Sequence, residues 1–172
     1  MFKDSEETFA ASFVPGDIFN TEHISDSSYS TVVPTTPAPI LRTLTSLTPL
    51  KGHVSAIHTS SFFHLFSEPL QRLVAERLAS LLSPEPGSMI FGAHIGLPEK
   101  GLRPSPRGSS MFCHSPESWR EMWIGEKGVF KQGEVRVDAI LQESPRKKIP
   151  RVSAALAIGP QVLLLSFCIT RL

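Results

Sequence analysis

Two histidines have side chains that could transfer a proton near neutral pH. His64 lies in the string Ser-Ser-Phe-Phe-His-Leu-Phe, and His114 precedes Ser-Pro-Glu-Ser-Trp. An imidazole has an unperturbed pKa of about 6.5, so either ring could act as a general base toward an oxygen nucleophile. A buried His64 bonded to backbone and a turn-forming His114 explain the same residues more readily. Base chemistry is therefore one interpretation of each residue and a structural role is the other.

Small polar residues form a second group whose side chains could take part in ligand binding. Thr59, Ser60 and Ser61 follow a short apolar segment, where small side chains permit a ligand to approach the backbone closely. The alternative is a polar strand-to-helix loop whose hydroxyls bond only to nearby backbone. Asp17 follows Pro-Gly, the usual setting of a turn aspartate that bonds to its own backbone. The cysteines, Cys113 and Cys168, match no metal-ligand spacing, so we predict reduced thiols and no metal site.

The elements that must position these residues alternate between strand and helix. Residues after Ser67 and Pro69 have an apolar face typical of a helix over 68–82, with Gln71, Arg72, Glu76 and Arg77 largely on the opposite face. Another helix should begin at Ser115 and bury Trp119, Met122 and Trp123. We predict one sheet containing residues 54–58, 89–93, 135–141 and 162–170. A strand near Phe13 and Val14, a short helix over 40–50 and a loop over 97–111 complete the prediction.

Composition limits the classes of function. The 172 residues carry 17 Lys and Arg against 16 Asp and Glu, a formal charge of +1 that argues against a nucleic-acid partner. The chain begins without an apolar signal segment, which favours the cytoplasm. Val152–Thr170 contains no charged residue and approaches the length of a membrane helix, but Gly159-Pro160 interrupts it. We therefore favour a terminal strand there and keep a membrane anchor as the alternative.

Three strings together resemble one enzyme family. Ser-Ser-Phe-Phe-His-Leu-Phe, Gly-Ser-Met-Ile-Phe-Gly and His-Ser-Pro-Glu-Ser-Trp occur in the order and spacing seen in class I S-adenosylmethionine-dependent methyltransferases of fungal secondary-metabolite pathways. The resemblance covers residues 9–143 and 165–172. It implies an α/β fold with a partial Rossmann-like sheet, flanking helices and an antiparallel C-terminal strand pair.

The resemblance also implies roles for particular residues. Asp17 matches an aspartate that accepts a hydrogen bond from the adenine amino group, and Ile18 matches a residue near that ring. Thr59, Ser60 and Ser61 would line the cofactor cleft, and His64 matches a histidine common in the family. Residues 91–94 and the loop over 97–111 would face a small-molecule acceptor that the sequence does not identify.

The sequence departs from the family pattern at two places. The family's glycine-rich loop and the acidic residue after its second strand have no counterpart before Phe13, and residues 144–160 form an atypical, basic insertion. We therefore expect a single, truncated domain over 1–172, with a mobile loop at 25–39. Weak or absent S-adenosylmethionine binding and doubtful activity should follow. A degenerate α/β domain that binds a protein partner at the exposed edge of the 54–58 strand is the alternative function.

Overall fold

A computed structural model describes residues 11–26, 28–104, 110–143 and 162–172. The helices and strands, in chain order, are β1 (Ala56–Ser60), α1 (Glu68–Leu81), β2 (Met89–Gly96), β3 (Gly101–Pro104), β4 (Ser110–Cys113), α2 (Pro116–Ile124), β5 (Val135–Glu143) and β6 (Leu163–Arg171). Four strands form one sheet in the order β1-β2-β6-β5, and β3 and β4 form a separate hairpin. Strands β1 and β2 are parallel, whereas β6 is antiparallel to both β2 and β5. The predicted α/β class, the single four-stranded sheet and the antiparallel terminal pair are confirmed.

The main sheet is buried on one face. Alternate residues point to opposite faces of a strand, so the cross-strand row Ile90, Ile169 and Val137 lies on one side. These side chains are buried and belong to one core with apolar residues of both helices. The next row, with Phe91 and Asp138, lies on the other side and is exposed. The two helices therefore pack on the same face of the sheet.

Helix α1 confirms the predicted helix within one residue. Arg72 and Glu76 lie on its solvent side as predicted, but the prediction was wrong for Gln71 and Arg77. Gln71 is fully buried and Arg77 is only 5% exposed. Gln71 Nε2 donates to the carbonyls of Phe66 and Phe112 at 3.0 and 2.9 Å. Arg77 donates to the Ile24 carbonyl at 2.6 Å. Both polar side chains enter the interior because backbone carbonyls there accept their hydrogen bonds.

Helix α2 begins as predicted. The Ser115 side chain accepts from the Ser118 backbone, and the Ser118 side chain accepts from the Ser115 backbone, which forms a capping box. Trp119 and Trp123 are fully buried, and Met122 is nearly so. The predicted cap and buried face are confirmed.

Other predictions need correction. Phe13 is exposed and belongs to no strand, because no described segment pairs with it. The helix predicted over 40–50 is two 3-10 turns, Leu41–Thr43 and Thr48–Leu50, since Pro49 prevents a continuous helix. The loop predicted over 97–111 contains β3 and part of β4, paired through Leu102 and Phe112.

Some predicted segments are only partly described. Residues 28–39 contain no helix or strand, and the mobility of 25–39 stays a prediction. The insertion at 144–160 and the first half of the apolar 152–170 run lie outside the described residues. The second half of that run is β6, as predicted. Within the described ranges, neither helix has the length and apolar character needed to cross a bilayer.

Candidate cofactor site at the carboxyl end of the sheet

Strand β1 ends beside Ala93 of the longer parallel strand β2. Thr59 and Ser60, predicted to follow the strand, are its last two residues, because their pairing with β2 continues to Ser60. Ser61 begins the segment 61–66, here called the turn after β1. Ser61 has a φ of 54° and donates its backbone N–H to the Ala93 carbonyl at 2.8 Å, so the chain leaves the sheet sharply. Ser60 Oγ lies 2.9 Å from His58 Nε2 and accepts weakly from the Ala93 backbone at 3.3 Å. Thr59 Oγ1 is buried and has no hydrogen-bond partner among the described residues. Ligands of α/β proteins bind at this end of the strands.

Phenylalanine rings bring a second predicted segment to this turn. Phe19 and Phe66 meet edge to face with ring centroids 5.0 Å apart, and Phe62 contacts Phe66 at 5.1 Å. Such aromatic pairs contribute about 0.5–1.5 kcal/mol beyond the area they bury. The side-chain amide of Gln71, on α1, donates to the Phe66 carbonyl and holds the backbone there in place. The structure thus places the loop that contains Asp17 beside the turn after β1.

Asp17 occupies an exposed turn in that loop. Its Oδ1 accepts from the Phe19 backbone at 2.9 Å, which is the turn role that the sequence offered as an alternative. The second carboxylate oxygen has no partner among the described residues. Ile18 is half-buried and packs against the core. The turn bond fixes the orientation of the carboxylate and leaves one oxygen for a ligand donor.

His64 is half-buried in the 3-10 turn after β1. Its Nδ1 accepts from the Ile95 backbone at 3.4 Å, and burial lowers the pKa of its imidazole. A ring that accepts a hydrogen bond through Nδ1 carries its proton on Nε2 when neutral. This geometry matches the structural interpretation of His64 and keeps the ring beside the ends of β1 and β2.

His94, on β2, was given no individual role by the sequence, yet it is the most buried histidine here. It is 1% exposed, and neither ring nitrogen has a partner in the described part of the chain. Its ring lies 4.7 Å from Trp119 and 6.3 Å from His64, measured between centroids. Burial and the two neighbouring histidines lower its pKa to about 3. The sequence signal that could have singled out His94 is that it is the one histidine in the otherwise apolar segment that forms β2.

His114 lies apart from His64. It is 2% exposed, its Nδ1 is 2.9 Å from Ser118 Oγ, and burial lowers its pKa to about 4. Its ring contacts Trp119 at 5.5 Å, which places the indole between His114 and His94. No hydrogen bond or ring contact joins His64 to His114 in the described ranges. These ranges also contain no group of His, Cys, Asp and Glu side chains suited to a metal ion.

An α/β sheet with a polar turn at the carboxyl ends of two parallel strands is the class of scaffold that the sequence motifs predicted. Comparison with known proteins gives two fungal relatives. The chain is 29% identical over 126 residues to the O-methyltransferase phiE of a fungal species (strain ATCC 74256), covering 72% of this chain and 34% of that enzyme. It is 33% identical over 75 residues to the Asnovolin E/Chermesin D methyltransferase nvfJ of Aspergillus novofumigatus, covering 43% of this chain and 27% of that enzyme.

These relatives confirm the resemblance to fungal methyltransferases, and the chain is a methyltransferase-like protein. It spans about a third of the length of the curated relatives it matches. No protein-family model matches the chain.

Proposed function

We propose that this chain supplies the adenine side of an S-adenosylmethionine site in a Rossmann-like, class I methyltransferase that acts on a small secondary metabolite. The observation that carries the proposal is the contact between Phe19 and Phe66, which joins the Asp17 loop to the turn after β1. The resemblance assigned Asp17 and Ile18 to the cofactor, together with Thr59–Ser61, the residues that lead into the segment containing Phe66. The contact of Phe19 with Phe66 in the folded chain supports a common ligand for these residues.

The side chains around this contact fit an adenosyl group. The unbonded oxygen of Asp17 suits an amino donor, and Ile18 and Phe19 offer apolar surface to a flat ring. Thr59 Oγ1, buried and without a partner, suits a polar atom of the ligand. When bound, S-adenosylmethionine supplies an electrophilic methyl group on sulfur.

The residues of this chain would then orient the acceptor rather than take its proton. His64 bonds to the Ile95 backbone and has a lowered pKa, so it is a weak base for an oxygen nucleophile. His114 is more deeply buried, with a pKa of about 4. Methyl transfer by alignment of the nucleophile with the sulfonium requires no strong base. The assignment of His64 and His114 as catalytic residues stays a proposal. Positioning is the role that the environment of His64 favours, whereas His114 lines a different cleft, between α1 and α2.

Calorimetric titration of the 172-residue chain with S-adenosylmethionine tests the proposal. We expect weak but saturable binding, with a Kd of about 1 mM, because the described residues contact mainly one end of the ligand. Asp17→Asn keeps the turn bond through its carbonyl oxygen but loses the charge, and should weaken binding by about tenfold. Glu85→Gln, an exposed change in the turn at the opposite end of β1 from Ser60, is the matched control. Equal affinity of Asp17→Asn and the wild type would refute the adenine assignment.

A second candidate function is binding of a protein partner at β1. The outer edge of β5 is occupied, since Arg120 donates to the carbonyls of Val137 and Ala139 at 3.3 and 2.9 Å. Within the described ranges, β1 has a strand neighbour on its β2 side alone. Unpaired strand edges recruit other chains. Sedimentation of the chain at rising concentration tests this candidate: concentration-dependent association supports it, and a monodisperse monomer at high concentration contradicts it.

A further inference from the structure

A surface cleft between α1 and α2 is separate from the cofactor region. Its volume is about 500 Å³, within the range of small-molecule sites. His114 and Ser118 line it from the start of α2, and Pro69 and Met122 supply apolar wall. None of the residues assigned to the cofactor lines this cleft.

His114 contributes to the lining of the cleft and has one ring nitrogen without a partner. Its Nδ1 is bonded to Ser118 Oγ, whereas Nε2 is buried and has no hydrogen-bond partner in the described part of the chain. The charged groups that act on the imidazole are Glu68 and Lys100, which form an ion pair at 3.0 Å and line the same cleft. The ring is therefore on the cleft side of the helix pair. A buried nitrogen without a partner is unfavourable, and a bound hydrogen-bonding group would remove that cost.

The remaining lining defines the class of ligand. Charged side chains of opposite sign are equal in number around the cleft: Glu68, Glu121 and Glu126 against Arg72, Lys100 and Lys127. This balance selects neither an anion nor a cation. The thioether of Met122 adapts to aromatic surfaces, and Pro69 offers a flat apolar contact. The rings of Phe112 and Trp119 flank the imidazole at 5.1 and 5.5 Å and fix its plane.

We propose that the cleft between α1 and α2 binds a neutral aromatic molecule with a hydroxyl group, which bonds to Nε2 of His114. Entry of the hydroxyl requires rotation of unbranched side chains of the lining, of which Lys100 and Met122 are two. The Ser118 hydroxyl donates to the Ser115 carbonyl at 3.3 Å, so Nδ1 of His114 is the donor in its bond to Ser118. In the neutral ring, which the lowered pKa favours, Nε2 can then accept from a hydroxyl donor. This binding site does not depend on the proposed cofactor site.

NMR of the 172-residue chain with ¹⁵N-labelled histidine tests the site, with 2-naphthol as the probe and 2-methoxynaphthalene as the control that lacks the donor. We expect saturable shifts of the His114 ring signals with a Kd below about 1 mM for 2-naphthol, and about tenfold weaker binding of the methyl ether. His114→Phe should bind the two probes equally, while Asp17→Asn should bind 2-naphthol as the wild type does.

The comparison of the two probes on the wild-type chain stands even if His114→Phe does not fold. Equal affinities for the two probes would overturn the proposal. So would the lack of saturable binding, or shifts centred on the ring signals of His58 and His64 instead of on those of His114. Loss of S-adenosylmethionine binding with intact 2-naphthol binding would refute the proposed function alone.

Discussion

Phe19 and Phe66 meet edge to face at 5.0 Å, although 46 residues separate them in sequence. This contact makes one site of two segments, the loop that contains Asp17 and the turn that follows β1. Because ring contacts are short-ranged, replacing either phenylalanine by alanine should loosen the attachment of the loop that contains Asp17.

Coupling between these two rings is the first prediction. We expect Phe19→Ala and Phe66→Ala each to destabilise the chain, with a coupling free energy of about 0.5–1.5 kcal/mol in the double-mutant cycle. Urea unfolding of the four proteins measures it. The same cycle between Phe66 and the distant Tyr29 is the control and should be additive. Additive losses for Phe19 and Phe66 would show that the loop is not fixed by this contact.

Gln71 should stabilise the backbone next to the candidate site. Its amide donates to the carbonyl of Phe66, which precedes α1 in the chain, and to that of Phe112, which follows it. Gln71→Met keeps the volume but leaves both carbonyls unpaired, so we expect a loss of about 2–4 kcal/mol in unfolding free energy. Arg72→Met, the adjacent change on the same helix, should cost less than about 1 kcal/mol, since its ion pair with Glu76 is solvent-exposed. Equal losses would contradict the structural role of Gln71.

Gly92 permits the close approach of β1 and β2. A Cβ at this position would lie 1.7 Å from the Thr59 carbonyl oxygen, so Gly92→Ala must separate the two strands. We expect a loss of more than about 3 kcal/mol, or failure to fold. Gly101→Ala in β3, where a Cβ meets nothing within 4 Å, is the matched control and should be tolerated. Thermal unfolding compares them, and similar melting temperatures would disprove the β1–β2 packing.

His94 should make stability depend on pH. Its pKa is about 3 in the folded chain, so below its unfolded value of about 6.5 the unfolded chain binds a proton that the folded chain does not. Stability should therefore fall as pH drops from about 6.5 toward 3, by about 1.4 kcal/mol per pH unit for each such histidine. His114 adds to this slope down to its own pKa of about 4.

Two substitutions isolate the contribution of His94. His94→Phe removes the titrating group and places a ring among Phe63, Trp119 and Phe167, so we expect a shallower pH slope and higher stability at neutral pH. His94→Gln should also flatten the slope without the gain in stability, because it leaves polar atoms buried. Chemical unfolding between pH 4 and 7 measures both. An unchanged slope in both variants would mean that His94 titrates normally.

The long periodic elements were predictable because burial of one face imposes a regular pattern. Helix α1 and strand β5 follow such patterns, β6 was predicted from a continuous apolar run, and Ser115 gives a local signal for the start of α2. Gln71 and Arg77 could not be assigned to the interior, because the carbonyls of Phe112 and Ile24 that accept from them belong to distant segments. The β3–β4 hairpin was missed since its strands are short and rich in Gly, Pro and Ser.

The sequence indicated which residues could form the candidate site but not how they are arranged in space. Asp17 and the hydroxyl residues 59–61 were identified from sequence motifs, whereas the Phe19–Phe66 contact is known only from the folded chain. His64 and His114 looked equivalent in sequence. The structure separates them, because the indole of Trp119 and the ring of His94 lie between them.

The shared cofactor site is tested most directly by transferred NOEs between S-adenosylmethionine and the 172-residue chain with labelled phenylalanine, since weak binding suits that experiment. We predict NOEs from the adenine H2 and H8 protons to the rings of Phe19 and Phe66, and weaker NOEs in Asp17→Asn at the same ligand concentration, because its affinity is about tenfold lower. NOEs from adenine to other phenylalanine rings instead, or NOEs of undiminished intensity in Asp17→Asn, would contradict the account.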